Sequence, residues 1–236
     1  MNVNENTFIG EIDPERIKGL LFDVDGTLSD TDDHLVHRIA RRLSPVSFLF
    51  ADRDPSNFAR WMVMGIETPA NFMYTLADRV GLDNALSNVY SHISQRRRAK
   101  RPEHDWYWIV SGVEKMLADL HQRYSLGIVS ARDEITTMRF LEHCNLLSYF
   151  DVVITAQSTR NTKPFPDPVI HAAEQMGLDP ESCVMIGDTI VDIKAGKAAG
   201  AQTIGVLCGF GSFKGLLRAE PDLIVPATPD ICKFLK

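Results

Sequence analysis

The sequence predicts an α/β fold, a doubly wound parallel sheet with an all-helical segment inserted after the first core strand. Short apolar runs bounded by polar and glycine residues recur along the chain, as buried strands do. Between them lie stretches with apolar residues at helical spacing, and strands alternating with amphipathic helices imply a parallel sheet covered on both faces. Residues 31–108 break that alternation, with helical periodicity and no convincing strand.

The first run, Ile17–Val24 (IKGLLFDV), reads as a buried strand leading into an acidic, glycine-containing loop. Similar runs follow at Leu126–Ser130, Val152–Thr155, Cys183–Gly187 and Thr203–Leu207, with a shorter one at Leu223–Val225. Val113, Met116, Leu117 and Leu120 share one helix face, as do Val169, Ile170, Ala173 and Met176. In the inserted segment, Leu35, Ile39 and Leu43 recur every fourth residue before Pro45, and Phe58, Trp61 and Met62 suggest a second helix. Thr68-Pro69 is an N-cap with a first-turn proline, followed by the stripe Phe72, Met73, Leu76 and Val80 and then Gly81. Leu82, Leu86, Val89 and Ile93 suggest a fourth helix. The division expected is therefore a core of residues 1–30 and 109–236 and a helical domain of residues 31–108.

The 236 residues suffice for such a core plus a smaller domain without staples. A composition of 44% hydrophobic and 24% charged residues is that of an ordinary globular protein. A net charge of −6 argues against a general nucleic-acid binder. The cysteines, Cys144, Cys183, Cys208 and Cys232, form neither a Cys-x-x-Cys pair nor a zinc spacing, which favours a reduced, cytoplasmic setting. The N-terminal stretch lacks the basic start and apolar core of a secretory signal, and no apolar run approaches the length of a membrane span.

The chemistry concentrates at strand ends. Asp23 and Asp25, in Phe22-Asp23-Val24-Asp25-Gly26-Thr27-Leu28, stand two residues apart just past a buried strand, where open α/β sheets bind ligands. Asp188 and Asp192 follow another apolar run and share one face if a helix starts there. Ser130 ends the second strand, and Lys163 lies in Thr162-Lys163-Pro164-Phe165-Pro166. Taken singly, each is an ordinary loop or surface residue; their order at successive strand ends makes them a site. Four clustered carboxylates repel one another and raise their pKa values. A hard divalent cation such as Mg²⁺, together with Lys163, relieves most of that charge. No histidine- or cysteine-rich set favours zinc.

These motifs resemble those of the haloacid dehalogenase-like hydrolase superfamily, in order: DVDGTL at 23–28, Ser130 after GIV, Lys163 in KPFPDP, and GDTIVDIKAGKAAG at 187–200. The likeness covers nearly the whole chain and is similar to the superfamily's phosphatase branch, with 31–108 as a helical cap of its first cap class on a Rossmann-like core. It implies that Asp23 is the nucleophile, forming an aspartyl-phosphate, and that Asp25 is the general acid and then base. It implies phosphate binding by Ser130 and Lys163, and Mg²⁺ held by Asp23, Asp188 and the backbone carbonyl of Asp25, with Asp192 ligating directly or through water. Thr27 is expected to orient the acidic loop beside the phosphate, or only to cap its turn. Dehalogenases of the superfamily lack a carboxylate at the position of Asp25, so its presence favours transfer from a phosphate ester. The implied partner is a small phosphorylated metabolite, acted on by a monomer or homodimer. The rivals are a phosphosugar mutase on the same fold and a non-catalytic binding protein.

Weaker signals accompany these. Arg132 follows Ser130 by two and is a candidate for a substrate or cap contact, the alternative being a salt bridge at a helix start. The run Arg96-Arg97-Arg98-Ala99-Lys100-Arg101 reads as a solvated helix face or as a surface for polyanions. His34 and His37 lack a third ligand and read as solvent-facing rather than metal-binding, and Trp106, Tyr107 and Trp108 read as packing where the chain returns to the core, the alternative being a stack on a substrate ring.

Overall fold

The computed structural model describes residues 8–30 and 107–235. Every apolar run read from the sequence within them is a strand. In chain order the strands are β1 (Ile9–Gly10), β2 (Gly19–Phe22), β3 (Ser125–Val129), β4 (Val152–Ile154), β5 (Cys183–Gly187), β6 (Gln202–Val206) and β7 (Leu223–Val225). They form one sheet in the order β1-β7-β6-β5-β2-β3-β4. All pairs are parallel except β1, which runs antiparallel to β7. Two residues are too few to show a period, so only the pairing with β7 reveals β1.

The strands read as continuous apolar runs because both faces of the sheet are covered. Leu20 and Phe22 pack into one layer with Val113, Met116, Leu117 and Leu120 of α1 (Val113–Leu120) and with Phe140 and Leu141 of α2 (Glu134–His143). Leu21, between them, joins the opposite layer, with Val169, Ala172 and Ala173 of α3 (Asp167–Gln175) and Ala195 of α4 (Ile190–Ala199). Each large apolar side chain buried this way contributes ~1.5–3 kcal/mol. Register matters for another reason: Phe22 pairs with Ile186, and a one-residue slip of β2 would draw Asp23 into the apolar layer.

The face expected for α1 is the buried one. On α3 the buried stripe runs through Val169, Ala172 and Ala173, while Ile170 is half-buried and Met176 caps the helix end. α2 buries only Thr137, Phe140 and Leu141, too few for a legible stripe. Its start is set by Asp133, whose carboxylate accepts from the Thr136 N–H at 2.9 Å. α5 (Phe213–Ala219) is equally quiet in the sequence and buries Leu216 against Ile193 and Ile224.

From β2 the chain proceeds through β3 and β4 to one side, then returns to β5 on the other side of β2 and continues to β6 and β7. The winding direction therefore reverses at the β2–β5 boundary, and the crevice beyond the carboxyl ends of such strands is where these sheets hold ligands.

The chain divides into two compact units, Met1–Thr31 with Tyr107–Lys236, and Asp32–Trp106. The helices expected between 31 and 108 lie outside the described residues, as do His34, His37, Trp106 and the basic run from Arg96 to Arg101. Of the aromatic trio, Tyr107 packs edge-on against Phe140, with ring centroids 5.9 Å apart, and lies beside His143. Trp108 is largely exposed, and its carbonyl accepts from the Asp30 N–H at 2.9 Å.

Candidate active site

Asp23 is the first residue past β2, and its N–H donates to the Ile186 carbonyl at 2.9 Å, continuing the pairing with β5. Asp188 is the first residue past β5. The two carboxylates are thus neighbours at the switch point because their strands are neighbours. Asp192 reaches them from the third position of α4. There it closes a capping box with Thr189: the Asp192 carboxylate accepts from the Thr189 N–H at 3.0 Å and from its hydroxyl at 2.5 Å. One carboxylate oxygen from each of Asp23, Asp188 and Asp192 lies within 4.8 Å of the others.

Lys163 enters this cluster from the loop before α3. Its ammonium pairs with Asp23 at 2.7 Å and Asp192 at 2.6 Å and donates to the Val129 carbonyl at 2.8 Å. The lysine is 5% exposed, and its pKa is raised: burial opposes the charge, but Asp192 and Asp23 outweigh it. Burial pushes the Asp23 carboxyl up to about 7, with Lys163 opposing and Asp192 and Asp25 adding repulsion. Asp188 is raised well above the usual carboxylate range, first by burial and then by Asp192 and Asp23.

Asp25 stands apart from the three. Both its oxygens face Arg132, whose Nε donates to Oδ2 at 2.8 Å and whose Nη2 pairs with Oδ1. Arg132 thus makes a salt bridge, but across the site mouth to Asp25 rather than at a helix start. Asp25 is therefore neutralised locally. Three buried carboxylates remain against one lysine, an excess of two negative charges, which is the charge of one divalent cation. Asp188 Oδ1 is buried and has no hydrogen-bond partner, a costly state for an acceptor unless a cation takes it. An all-oxygen donor set with this charge fits Mg²⁺. Asp188 has the free oxygen; Asp192 has one oxygen on Lys163 and the other on Thr189.

The carboxyl shifts carry a consequence for pH. In metal-free protein, Asp23 binds its proton up to about pH 7 when folded but only to the ordinary carboxylate value, 3.8, when unfolded. The folded state therefore holds more protons between those values, and stability falls as pH rises through that window. Melts in chelator are expected to show a lower Tm at pH 8 than at pH 5, and Mg²⁺ to raise Tm more at pH 8. A flat or rising Tm in chelator would contradict the site's charge balance.

A backbone cradle, absent from the sequence reading, completes the site. The Phe210 N–H donates to Asp188 Oδ2 at 2.6 Å. Gly209 and Gly211 flank it: a Cβ on Gly209 would lie 2.2 Å from that oxygen, and one on Gly211 1.6 Å from the Asp188 carbonyl. Gly26, at φ 73°, crowds the same carboxylate: a Cβ there would lie 2.4 Å from Asp188 Oδ2. The signal available in sequence was Gly209-Phe210-Gly211 just past an apolar run.

The acidic loop is also held from beneath. Thr27 is fully buried and its hydroxyl has no hydrogen-bond partner, so the expected side-chain contact is replaced by a backbone one: the Thr228 hydroxyl donates to the Thr27 carbonyl at 2.6 Å. Thr228→Val should leave that carbonyl unsatisfied, cost ~1–3 kcal/mol and lower Tm by about 2–12 °C; an unchanged melt would show the bond to be dispensable. Ser130 is 5% exposed, with its hydroxyl accepting from the Arg132 N–H at 3.1 Å.

The haloacid dehalogenase-like hydrolase family model matches residues 20–206. The chain is 28% identical over 219 residues to the pyrophosphatase PpaX of Bacillus pumilus, covering 91% of this chain and 94% of that one. It is 28% identical over 237 residues to a phosphoglycolate phosphatase of Salmonella paratyphi A, covering 94% and 93%. Among solved structures, a haloacid dehalogenase superfamily hydrolase of subfamily IA from Geobacter sulfurreducens shares the fold, with a TM-score of 0.57, 20% identity and coverage of 94% and 97%. The doubly wound core with its acidic switch point and a family match across most of its length lead to one conclusion: the chain belongs to the haloacid dehalogenase-like hydrolase family and stands among its phosphatases.

Proposed function

We propose that the protein is a Mg²⁺-dependent hydrolase of small phosphomonoesters that works through an aspartyl-phosphate on Asp23. The observation carrying this reading is the convergence of Asp23, Asp188 and Asp192 with Lys163 at the switch point. Asp23, Asp188 and the Asp25 carbonyl would hold the ion, with Asp192 beside them directly or through water. When bound, Mg²⁺ supplies charge neutralisation to the phosphoryl oxygens and a rigid oxygen template.

Asp23 attacks phosphorus, forming the Asp23–phosphorus bond as the ester oxygen leaves. Lys163 and Ser130 hold phosphoryl oxygens, and Arg132 adds positive charge at the mouth. Asp25 gives its proton to the leaving oxygen. It then takes one from a water whose oxygen bonds to phosphorus as the Asp23 bond breaks, releasing phosphate. Such acid–base help is worth ~10²–10⁴-fold in rate. In this reading residues 31–108 are the helical cap domain and residues 1–30 and 109–236 the catalytic core. The enzyme acts as a cytoplasmic monomer or homodimer on free metabolites. Pyrophosphate and phosphoglycolate, the compounds in the two relatives' names, are the first substrates to try.

A panel of phosphorylated metabolites with Mg²⁺ tests the reading. Phosphate release is expected, abolished by chelator, with no isomerised product from sugar phosphates. Silence across the whole panel would end it.

A further inference from the structure

The pairing of Arg132 with Asp25 conflicts with the task proposed for Asp25, on which the following rests. Both Asp25 oxygens are engaged by the guanidinium. A general acid–base needs one oxygen free for the leaving group and then for water. The pair must therefore open during turnover, and the two partners are not equally free to move. The Arg132 side chain is 13% exposed and stacks its guanidinium over the Phe140 ring, 5.4 Å from the centroid, whereas the Asp25 side chain is 41% exposed. The arginine is the fixed partner and the aspartate the one that can swing away.

A guanidinium this far from water is not left without an anion, since breaking a buried pair by removing one partner is strongly destabilising. Among the described residues the remaining carboxylates of the site have other tasks: Asp23 and Asp192 pair with Lys163, and Asp188 takes the Phe210 N–H on Oδ2 and keeps its unpartnered Oδ1 for the cation. With no carboxylate of the site left among the described residues to replace Asp25, the ligand is taken as the source of the anion. Arg132 borders the phosphoryl site, because its N–H donates to Ser130 Oγ at 3.1 Å and the Asp23 charge acts on its guanidinium. The scissile group has Lys163, Ser130 and the cation for its oxygens. The planar guanidinium fork fits a second oxyanion, carboxylate or phosphoryl.

We propose that Arg132 is a specificity residue that exchanges Asp25 for a second anionic group on the substrate, so that binding of a doubly acidic substrate releases Asp25 for proton transfer. Substrates of this class carry a carboxylate or second phosphoryl group a few bonds from the phosphorus attacked. A phosphomonoester with a neutral alcohol part leaves Asp25 clamped and turns over slowly.

Binding tests this without relying on turnover. Calorimetry in Mg²⁺ compares phosphonoacetate, methylenediphosphonate and ethylphosphonate, which differ in the second anion. The wild type is expected to bind phosphonoacetate or methylenediphosphonate at least about tenfold more tightly than ethylphosphonate, and the stronger of the two identifies the second group. Arg132→Gln should erase that preference by weakening the doubly anionic probe far more than ethylphosphonate, and Arg132→Lys should restore part of it. In kinetics, Arg132→Gln should raise KM for a carboxylate-bearing ester more than for p-nitrophenyl phosphate. No preference in the wild type would overturn the proposal whether or not any variant folds. Equal weakening of all three probes in Arg132→Gln would also overturn it, making Arg132 a ligand of the scissile group. So would unchanged binding with an equal fall in kcat on every substrate, making it a permanent holder of Asp25. A wild type that hydrolyses no ester yet shows the preference would sink the phosphatase reading and leave the second-anion site standing.

Discussion

Asp23→Asn is expected to lower kcat by about 10⁴-fold or more, with substrate binding and fold retained. An amide has almost the shape of the carboxylate, and its oxygen can still accept from Lys163. It cannot attack phosphorus or carry the phosphoryl group. The backbone is fixed by the Asp23 N–H bond to the Ile186 carbonyl, so the side chain should stay where it is. The control for misfolding is built into the electrostatics. Asp23 is a buried carboxyl with a pKa pushed up to about 7, so removing its charge should leave the metal-free protein at least as stable at pH 8. Steady-state rates, a phosphoprotein trap and melts in chelator together check this. Near-normal turnover would mean that another group is the nucleophile.

Lys163→Met should have the next largest effect, on activity and stability together. The ammonium is the only cation among the described residues that pairs with Asp23 and Asp192, and it also satisfies the Val129 carbonyl. Losing it leaves two buried carboxylates uncompensated, a change that costs ~3–5 kcal/mol and lowers Tm by about 6–20 °C. The lysine's raised pKa means that its stabilisation is fully present below the unfolded value of about 10.4, hence across the physiological range. The orphaned carboxylates can escape by taking protons, so the deficit should grow as pH rises from 6 to 8. Mg²⁺ should recover part of it. Rate should fall by about 10²–10³-fold, as for loss of one fixed charge-stabilising donor. A variant that melts like the wild type at pH 8 would show that Lys163 does not balance the cluster.

The two substitutions separate the roles of the site. One removes a nucleophile and relieves charge; the other removes a counterion and exposes charge. Opposite stability effects from two residues 2.7 Å apart would be hard to obtain from general disruption of the fold.

How much of this was legible in the sequence follows from what a sequence can display. Strands β2 to β7 within the described residues are visible because parallel strands buried on both faces are continuous apolar runs. Asp23, Ser130 and Asp188 are visible because each follows such a run directly, and Lys163 because it lies in a motif the family shares. Helix α1 shows its four-residue stripe, whereas α2 and α5 bury too little to show one and are set by Asp133 and Ser212 as caps.

What tertiary structure alone decided is who meets whom. Asp25 and Arg132 are 107 residues apart, and Thr228 reaches the Thr27 carbonyl across 201 residues. Neither contact leaves a local period or propensity, since both arise from the strand order that brings loops to one rim. For that reason the sequence alone groups Asp25 with the other three carboxylates around one cation and a lysine. Folding hands Asp25 to Arg132 instead and leaves three carboxylates with an excess of two charges. Residue type and local order determined the chemistry available to this chain; long-range topology determined how its charges pair.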